Sequence, residues 1–235
     1  MIQHRDRAPD RDAERGRPGN VAPRLSNMIE FPLNRTSGWG FNSAKTGRMV
    51  AGIPPLDIDL ACMLEAEPCI TTYDMVDEGL FEASVLGDPV LLAVMPTYGE
   101  RNDAAVAAVA DRTGLSVISV PERVLRARPY IDNARLVARA GETPPSAFVR
   151  VAILNALDAE GGSAPLGDLC ALASRSADPV AAVLSLVTAG IVTVDMARPI
   201  DADSEIVRVG NPDIGPDEEG SRSPTLLDLL AGRAA

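Results

Sequence analysis

Residues 43–96 decide the fold, and three parts of this stretch carry the signal. Residues 43–50 read SAKTGRMV, residues 56–65 read LDIDLACMLE, and residues 89–96 read PVLLAVMP. In the second part apolar side chains recur at helical spacing, which predicts a helix with one apolar face. The third part is a continuous apolar run between two prolines, which predicts a strand buried on both faces. A loop, a helix and a buried strand therefore follow one another.

Further elements extend this pattern along the chain. Strands are predicted at 70–75, 80–86 and 115–120, with a tight turn at 87–89 before the apolar strand. A helix is predicted at 102–113, because an asparagine can cap its start and a glycine follows its end. The order of helix, strands, helix and strand predicts an α/β fold with a mixed sheet flanked by helices.

Composition divides the chain into four predicted parts. Residues 1–27, with six arginines and four acidic residues, are predicted to be a disordered tail, and 28–140 form the α/β domain. After a Gly/Pro-rich linker, three predicted helices and a two-stranded hairpin over 146–209 indicate a small winged-helix-like domain. Residues 210–235 are predicted to be an acidic linker followed by a short leucine-rich helix.

The last two parts favour protein contacts over contacts with bases. The third helix of the winged-helix-like domain, residues 178–187, contains no lysine or arginine, and side chains that read bases are usually basic or amide. The leucines of 226–230 can fill a partner's groove or pack back onto their own domain. We therefore predict a protein partner and allow a homodimer.

Overall composition limits the possible partners. The chain has 235 residues and a formal net charge of −11, which repels nucleic acid unless a local basic patch offsets it. Cys62, Cys69 and Cys170 show no metal-binding spacing, and reduced thiols suit a cytoplasmic location. The sequence shows no signal peptide and no long apolar run, so no membrane partner is expected.

Two basic features are the candidates for phosphate contact. Lys45 and Arg48 flank a glycine, which lets the backbone approach an anion. Residues 121–140 carry five arginines, of which Arg135 and Arg139 stand four apart on one predicted helix. Any DNA contact, expected to be weak, is assigned to these four cations. The alternative is a surface turn and a solvated helical hairpin.

The loop, helix and strand order resembles the TnsA-like endonuclease family, a branch of the restriction-endonuclease fold, over about residues 28–210. In that family a Lys-x-Gly-Arg loop precedes a helix that carries a glutamate. On this resemblance the loop is Lys45–Arg48, the helix glutamate falls on Asp57 and the following aspartate on Asp59. The resemblance implies a restriction-endonuclease-like sheet for the α/β domain.

The same resemblance places the catalytic strands. The family's Pro-Asp pair falls on Phe81-Glu82, and its Glu-x-Lys triplet falls on residues 93–95. Ala93 and Met95 therefore stand where the resemblance expects a glutamate and a lysine, and neither side chain has an oxygen ligand or a charge. Lys45 is the only lysine of the chain and belongs to the preceding loop. The resemblance thus implies a degenerate active site.

Three functions stay open on the sequence. The first is a catalytically inactive nuclease-fold protein, without a cofactor, that acts as a subunit or regulator in a DNA-related complex. The second is a residual endonuclease in which Asp57, Asp59 and Glu82 hold Mg²⁺. The third is a protein-interaction adaptor without DNA contact. The only histidine, His4, lies in the tail, so catalysis that needs histidine is not expected.

Overall fold

The computed structural model describes residues 40–51, 53–98, 103–210 and Leu226. All of them belong to one compact unit. The predicted tail at 1–27 lies outside the described residues, as does the leucine-rich segment apart from Leu226.

Short strands and helices alternate through the described residues. The strands are β1 (Gly40–Asn42), β2 (Met49–Ala51), β3 (Ile70–Asp77), β4 (Leu80–Val85), β5 (Asp88–Met95), β6 (Val117–Pro121), β7 (Ser163–Pro165), β8 (Val192–Val194) and β9 (Glu205–Arg208). The helices are α1 (Pro55–Ala66), α2 (Asp103–Thr113), α3 (Glu122–Leu125), α4 (Tyr130–Ala140), α5 (Ala147–Ala159), α6 (Leu166–Leu172) and α7 (Pro179–Thr188).

The main sheet has the strand order β3-β4-β5-β6. The first three strands are antiparallel neighbours, and β6 runs parallel to β5, so the predicted mixed sheet is confirmed. Tyr73 of β3 donates a hydrogen bond to Glu65 of α1, which places α1 on one face of the sheet. Leu80 and Ala93 pack with Val109 of α2 on the other face. We call these the α1 face and the α2 face.

The apolar run at 89–96 forms β5, and the sequence explains its central position. Leu91 and Ala93 pack on the α2 face, while Leu92 and Val94 alternate with them onto the α1 face. All four side chains are buried. The strand is therefore covered on both sides, as a continuous apolar run predicts.

The turn that leads into β5 differs by one or two residues from the prediction. Val85 pairs with Asp88, so the two-residue connection is Leu86-Gly87, and Pro89 already belongs to the strand. Both connecting residues have positive φ, 53° at Leu86 and 97° at Gly87. Positive φ at both positions is typical of a type I′ hairpin turn, in which asparagine is favoured over leucine at the first position.

Replacing Leu86 with asparagine is expected to stabilise the protein by about 0.5–1 kcal/mol, because asparagine adopts positive φ at lower cost. Leu86 is 78% exposed, so little packing is lost. Chemical denaturation measures the change. Leu172→Asn is the control, since Leu172 is also exposed but ends an ordinary helix. Equal effects of the two substitutions would contradict the backbone explanation.

The second half of the described chain builds a smaller sheet with three helices. Its strand order is β7-β9-β8, and both pairings are antiparallel. The sequence predicted the helices and the β8–β9 hairpin but not β7, whose three residues are too few for a periodic pattern. Along the chain the order is α5, β7, α6, α7, β8 and β9.

Helix α7 packs against α4, so the two halves share a core. Residues 182–188 of α7 are all buried, which explains why this helix carries no lysine or arginine. Asn133 of α4 adds polar contacts, because its Nδ2 donates to the carbonyl oxygens of Met196 at 3.0 Å and Arg198 at 2.6 Å. The apolar side chains that suggested a partner surface are thus largely used within the chain. None of the described helices is long and apolar enough to cross a membrane.

Candidate functional site

The Lys-Thr-Gly-Arg motif forms the tip of the β1–β2 hairpin and rests on the end of α1. Glu65 of α1 is fully buried and accepts four hydrogen bonds. Three come from the hairpin: Ser43 Oγ at 2.6 Å, the backbone N–H of Ala44 at 2.7 Å and that of Lys45 at 3.3 Å. The fourth comes from Tyr73 Oη at 2.9 Å. One carboxylate therefore joins the hairpin, the helix and the sheet.

Lys45 points into the fold. Its Nζ donates to two backbone carbonyl oxygens at the end of α1, Leu64 at 2.8 Å and Glu67 at 2.5 Å. These carbonyls have no partner within the helix, so the ammonium caps its C-terminal end. Burial lowers the pKa of Lys45 to about 8, against the opposing effect of the Glu65 and Glu67 carboxylates. The predicted phosphate contact stays a prediction, and it would require Lys45 to leave these partners.

Arg48 is the other cation of the loop, and it faces solvent. Its guanidinium forms an ion pair with Asp74 of β3, and both side chains are more than half exposed. An exposed pair of this kind contributes little to stability and can open to receive an anion. Of the two loop cations, only Arg48 is placed for a partner outside the fold.

Arg135 is drawn inward by Asp59. Its Nε and Nη2 donate to Asp59 Oδ1 at 2.9 and 2.5 Å, and Asp59 is 2% exposed. Burial raises the pKa of Asp59, whereas the hydrogen bonds and charge of Arg135 oppose that rise. Arg139, one turn later, is exposed. The sequence predicted both arginines on one phosphate-binding face of the helix. In the structure one of them binds a buried carboxylate and only the other is exposed to solvent.

The second carboxylate oxygen of Asp59 has an unusual position. Oδ2 is buried and accepts no hydrogen bond from the residues that the structure describes. Arg126 Nη1 lies 3.8 Å from it. Asp59 therefore depends on Arg135 for its hydrogen bonds, which makes this ion pair sensitive to substitution.

The three carboxylates considered for Mg²⁺ do not converge. Asp57 lies on the α1 face, where its Oδ2 accepts the backbone N–H of Gly79 at 2.9 Å, and burial raises its pKa. Glu82 pairs with Leu91, which places it on the α2 face. Asp59 is bound to Arg135. Among the described residues no group of three acidic, cysteine or histidine side chains could hold a metal ion.

The strand positions assigned to Glu-x-Lys also lie away from Asp57. Ala93 pairs with Leu80 and packs on the α2 face, and Met95 shares that face by strand alternation. Val94 of β5 donates its backbone N–H to the carbonyl oxygen of Gly79, and Val94 and Asp57 both border the space above the Gly79 Cα. On both faces of β5, the side chains at these positions are therefore apolar and provide no oxygen ligand for a metal.

Sequence reasoning missed the polar cluster at the end of α1. Glu65 and Glu67 are both buried, and neither was singled out. Their only signal is a Glu-x-Glu pattern immediately before the proline that ends the helix, where carboxylates are unfavourable for the helix dipole. An unfavourable charge in such a position indicates a specific partner, here the hairpin for Glu65 and Tyr130 for Glu67.

The structure is therefore that of a mixed α/β protein. Most of the charged side chains in its predicted motifs form hydrogen bonds or ion pairs with other residues of the same chain. No protein-family model matches the chain, and neither a curated protein nor a solved structure matches it.

Proposed function

We propose that this protein is a catalytically inactive nuclease-fold protein that acts through protein contacts, as a subunit or regulator. One observation carries the proposal. The acidic residues that the nuclease resemblance selects are split between the two faces of the sheet, with Asp57 and Asp59 on one and Glu82 on the other. A metal-dependent nuclease needs its carboxylates around one ion, so this arrangement favours a non-catalytic role.

The order of elements supports the two fold assignments within this proposal. The loop at 45–48, helix α1 and strands β4 and β5 follow the order expected from the resemblance to TnsA-like endonucleases. Helix α2 and strand β6 follow them in the order that the sequence pattern predicts. Helix α5, strand β7, helices α6 and α7 and the β8–β9 hairpin suit a winged-helix-like unit. Packing of α7 against α4 removes that unit's third helix from a role in reading a groove.

A nuclease assay tests the inactive state. We expect no nicking of supercoiled DNA with Mg²⁺ or Mn²⁺ above the level of the Asp57→Asn variant, because no described carboxylate set surrounds an ion. Asp168→Asn serves as the matched control, since Asp168 is exposed on α6. Nicking that depends on metal, disappears in Asp57→Asn and persists in Asp168→Asn would overturn the proposal.

Association with DNA is a second candidate, and one observation favours it. Around α3 and α4 the side chains of Arg123, Arg126, Arg128 and Arg139 are exposed. Two of them are partly neutralised, since Arg126 pairs with Glu122 and Arg128 with Asp132. Because the whole chain carries a net charge of −11, any binding to duplex DNA is expected to be weak.

Gel shifts at low and high salt distinguish the two candidates. If these arginines contact DNA, Arg123→Glu combined with Arg139→Glu weakens binding to all sequences and flattens its salt dependence. Arg150→Glu combined with Arg175→Glu, which reverses two exposed charges on the other half, is the control. Arg135→Glu is unsuitable because it would break the pair with Asp59. Absence of binding at low salt leaves protein contact without DNA as the function.

A further inference from the structure

Leu226 is the residue of the C-terminal segment that the structure describes, and it lies in the core. Leu226 is 1% exposed, and its backbone N–H donates to Glu67 Oε2 at 2.7 Å. The two residues are 159 positions apart in the chain. This contact therefore fixes a point of the segment beyond residue 210 to the end of α1.

The acceptor is a buried carboxylate that accepts hydrogen bonds from three separate parts of the chain. Glu67 is 2% exposed, and its Oε2 also accepts Tyr130 Oη from α4 at 3.3 Å. Its Oε1 accepts Cys69 Sγ at 3.5 Å, and its backbone oxygen accepts Lys45 Nζ. Burial, and then the charge of Glu67, raises the pKa of Tyr130 well above its ordinary value, so the phenol keeps its proton as a donor.

Among the donors that the structure describes, the N–H of Leu226 forms the shortest hydrogen bond to this carboxylate. A hydrogen bond to a charged acceptor is stronger than one between neutral groups, and a buried carboxylate that loses a donor is strongly destabilised. The apolar side chain of Leu226 adds burial beside the polar contact. Backbone recognition together with a buried anchor is the pattern by which proteins bind peptide segments.

We propose that Glu67 and Tyr130 form a peptide-binding site, and that the chain's own segment around Leu226 is its resident ligand. The site selects a residue with an apolar side chain and a backbone N–H. Proline lacks the donor, and an acidic side chain would meet the Glu67 carboxylate. Because the ligand is tethered, its effective concentration is on the order of millimolar, so modest intrinsic affinity suffices.

This inference does not depend on the proposed function, since the occupant belongs to the same chain. At this site, a leucine of a partner protein could replace the chain's own segment. Such a partner must overcome the tether, which at micromolar concentration corresponds to an affinity advantage of about 10³.

A cleavable full-length chain tests the site. A specific protease sequence is inserted between Gly215 and Pro216, the protein is folded intact, and the linker is then cut. We expect fragment 216–235 to be displaced by a labelled synthetic peptide of residues 221–235, which then binds the cut protein measurably by fluorescence anisotropy. A peptide with Leu226→Pro should bind at least about 100-fold more weakly, because both the donor and the local geometry are lost.

Matched variants complete the design. A peptide with Ser221→Ala should bind like the unmodified one, and Leu226→Asp should bind as weakly as Leu226→Pro. On the protein, Glu67→Gln should weaken binding whereas Glu78→Gln, at an exposed carboxylate, should not. Equal affinity of the unmodified and Leu226→Pro peptides, or no binding of either, would overturn the proposal. The peptide series decides the question even if Glu67→Gln does not fold.

Discussion

Replacing Arg135 with leucine is expected to destabilise the protein by about 3–5 kcal/mol, because it leaves a buried carboxylate without a partner. Arg135 supplies both hydrogen bonds that reach Asp59 Oδ1, and the Arg135 side chain is itself only 20% exposed. Urea denaturation at pH 7 measures the loss. Arg139→Leu, on the exposed side of the same helix, should change stability by no more than about 0.5 kcal/mol.

The pH dependence of this variant separates an orphaned charge from lost packing. Burial already raises the pKa of Asp59, and removal of Arg135 removes the groups that oppose that rise. A carboxyl group whose pKa is higher in the folded than in the unfolded state makes stability fall as pH rises. Arg135→Leu should therefore be destabilised less at pH 4 than at pH 7, relative to the unmodified protein.

A double substitution supplies the remaining control. Replacing both Asp59 and Arg135 with leucine removes the charge together with its partner, and should recover much of the lost stability. If Arg135→Leu cost less than about 1 kcal/mol, or the double variant were no more stable than Arg135→Leu, the buried pair would not be the reason.

Replacing Glu65 with alanine is expected to cost a similar amount, about 3–5 kcal/mol, for a different reason. Four donors converge on this side chain, two of them backbone N–H groups that are fixed in place. Their loss would detach the β1–β2 hairpin from α1. Hydrogen exchange should report faster exchange at Ala44 and Lys45, and thermal denaturation should report the overall loss.

A conservative variant tests whether acceptance of hydrogen bonds is what matters. Glu65→Gln retains one acceptor oxygen, and the hydroxyls of Ser43 and Tyr73 can turn to accept from the amide. It should therefore be destabilised less than Glu65→Ala. Glu78→Ala, at an exposed position, should be nearly neutral. Equal losses for Glu65→Gln and Glu65→Ala would point to the charge of Glu65, such as its attraction for the Lys45 ammonium, as the main contribution.

The main sheet could be predicted because its signals are local. The apolar run that forms β5 and the periodic residues of α1 each identify an element without knowledge of its neighbours. The three-residue strands β1 and β7 could not be predicted, since they exist through pairing with distant residues rather than through their own pattern.

The candidate site was harder to predict, because it depends on which face of a strand each side chain occupies and on contacts between residues far apart in the chain. A strand that is apolar on both faces does not reveal which face a residue occupies, so Ala93 and Met95 could not be assigned to the face opposite Asp57 from sequence. The roles of Lys45 and Arg135 depend on partners about 20 and 76 positions away. Nothing in a basic residue's local sequence distinguishes an internal partner from a phosphate.

The central claim is that the acidic residues assigned to a metal site by the nuclease resemblance do not bind a metal. Thermal unfolding with and without Mn²⁺ tests this claim most directly. The structure predicts that 10 mM Mn²⁺ leaves the midpoint unchanged, equally for the unmodified protein, Asp57→Asn and Glu82→Gln. A metal bound with a dissociation constant of about 1 mM would stabilise the fold by about 1.4 kcal/mol and raise the midpoint by about 3–6 °C. Such a rise, lost in Asp57→Asn and Glu82→Gln but kept in Asp168→Asn, would contradict the account.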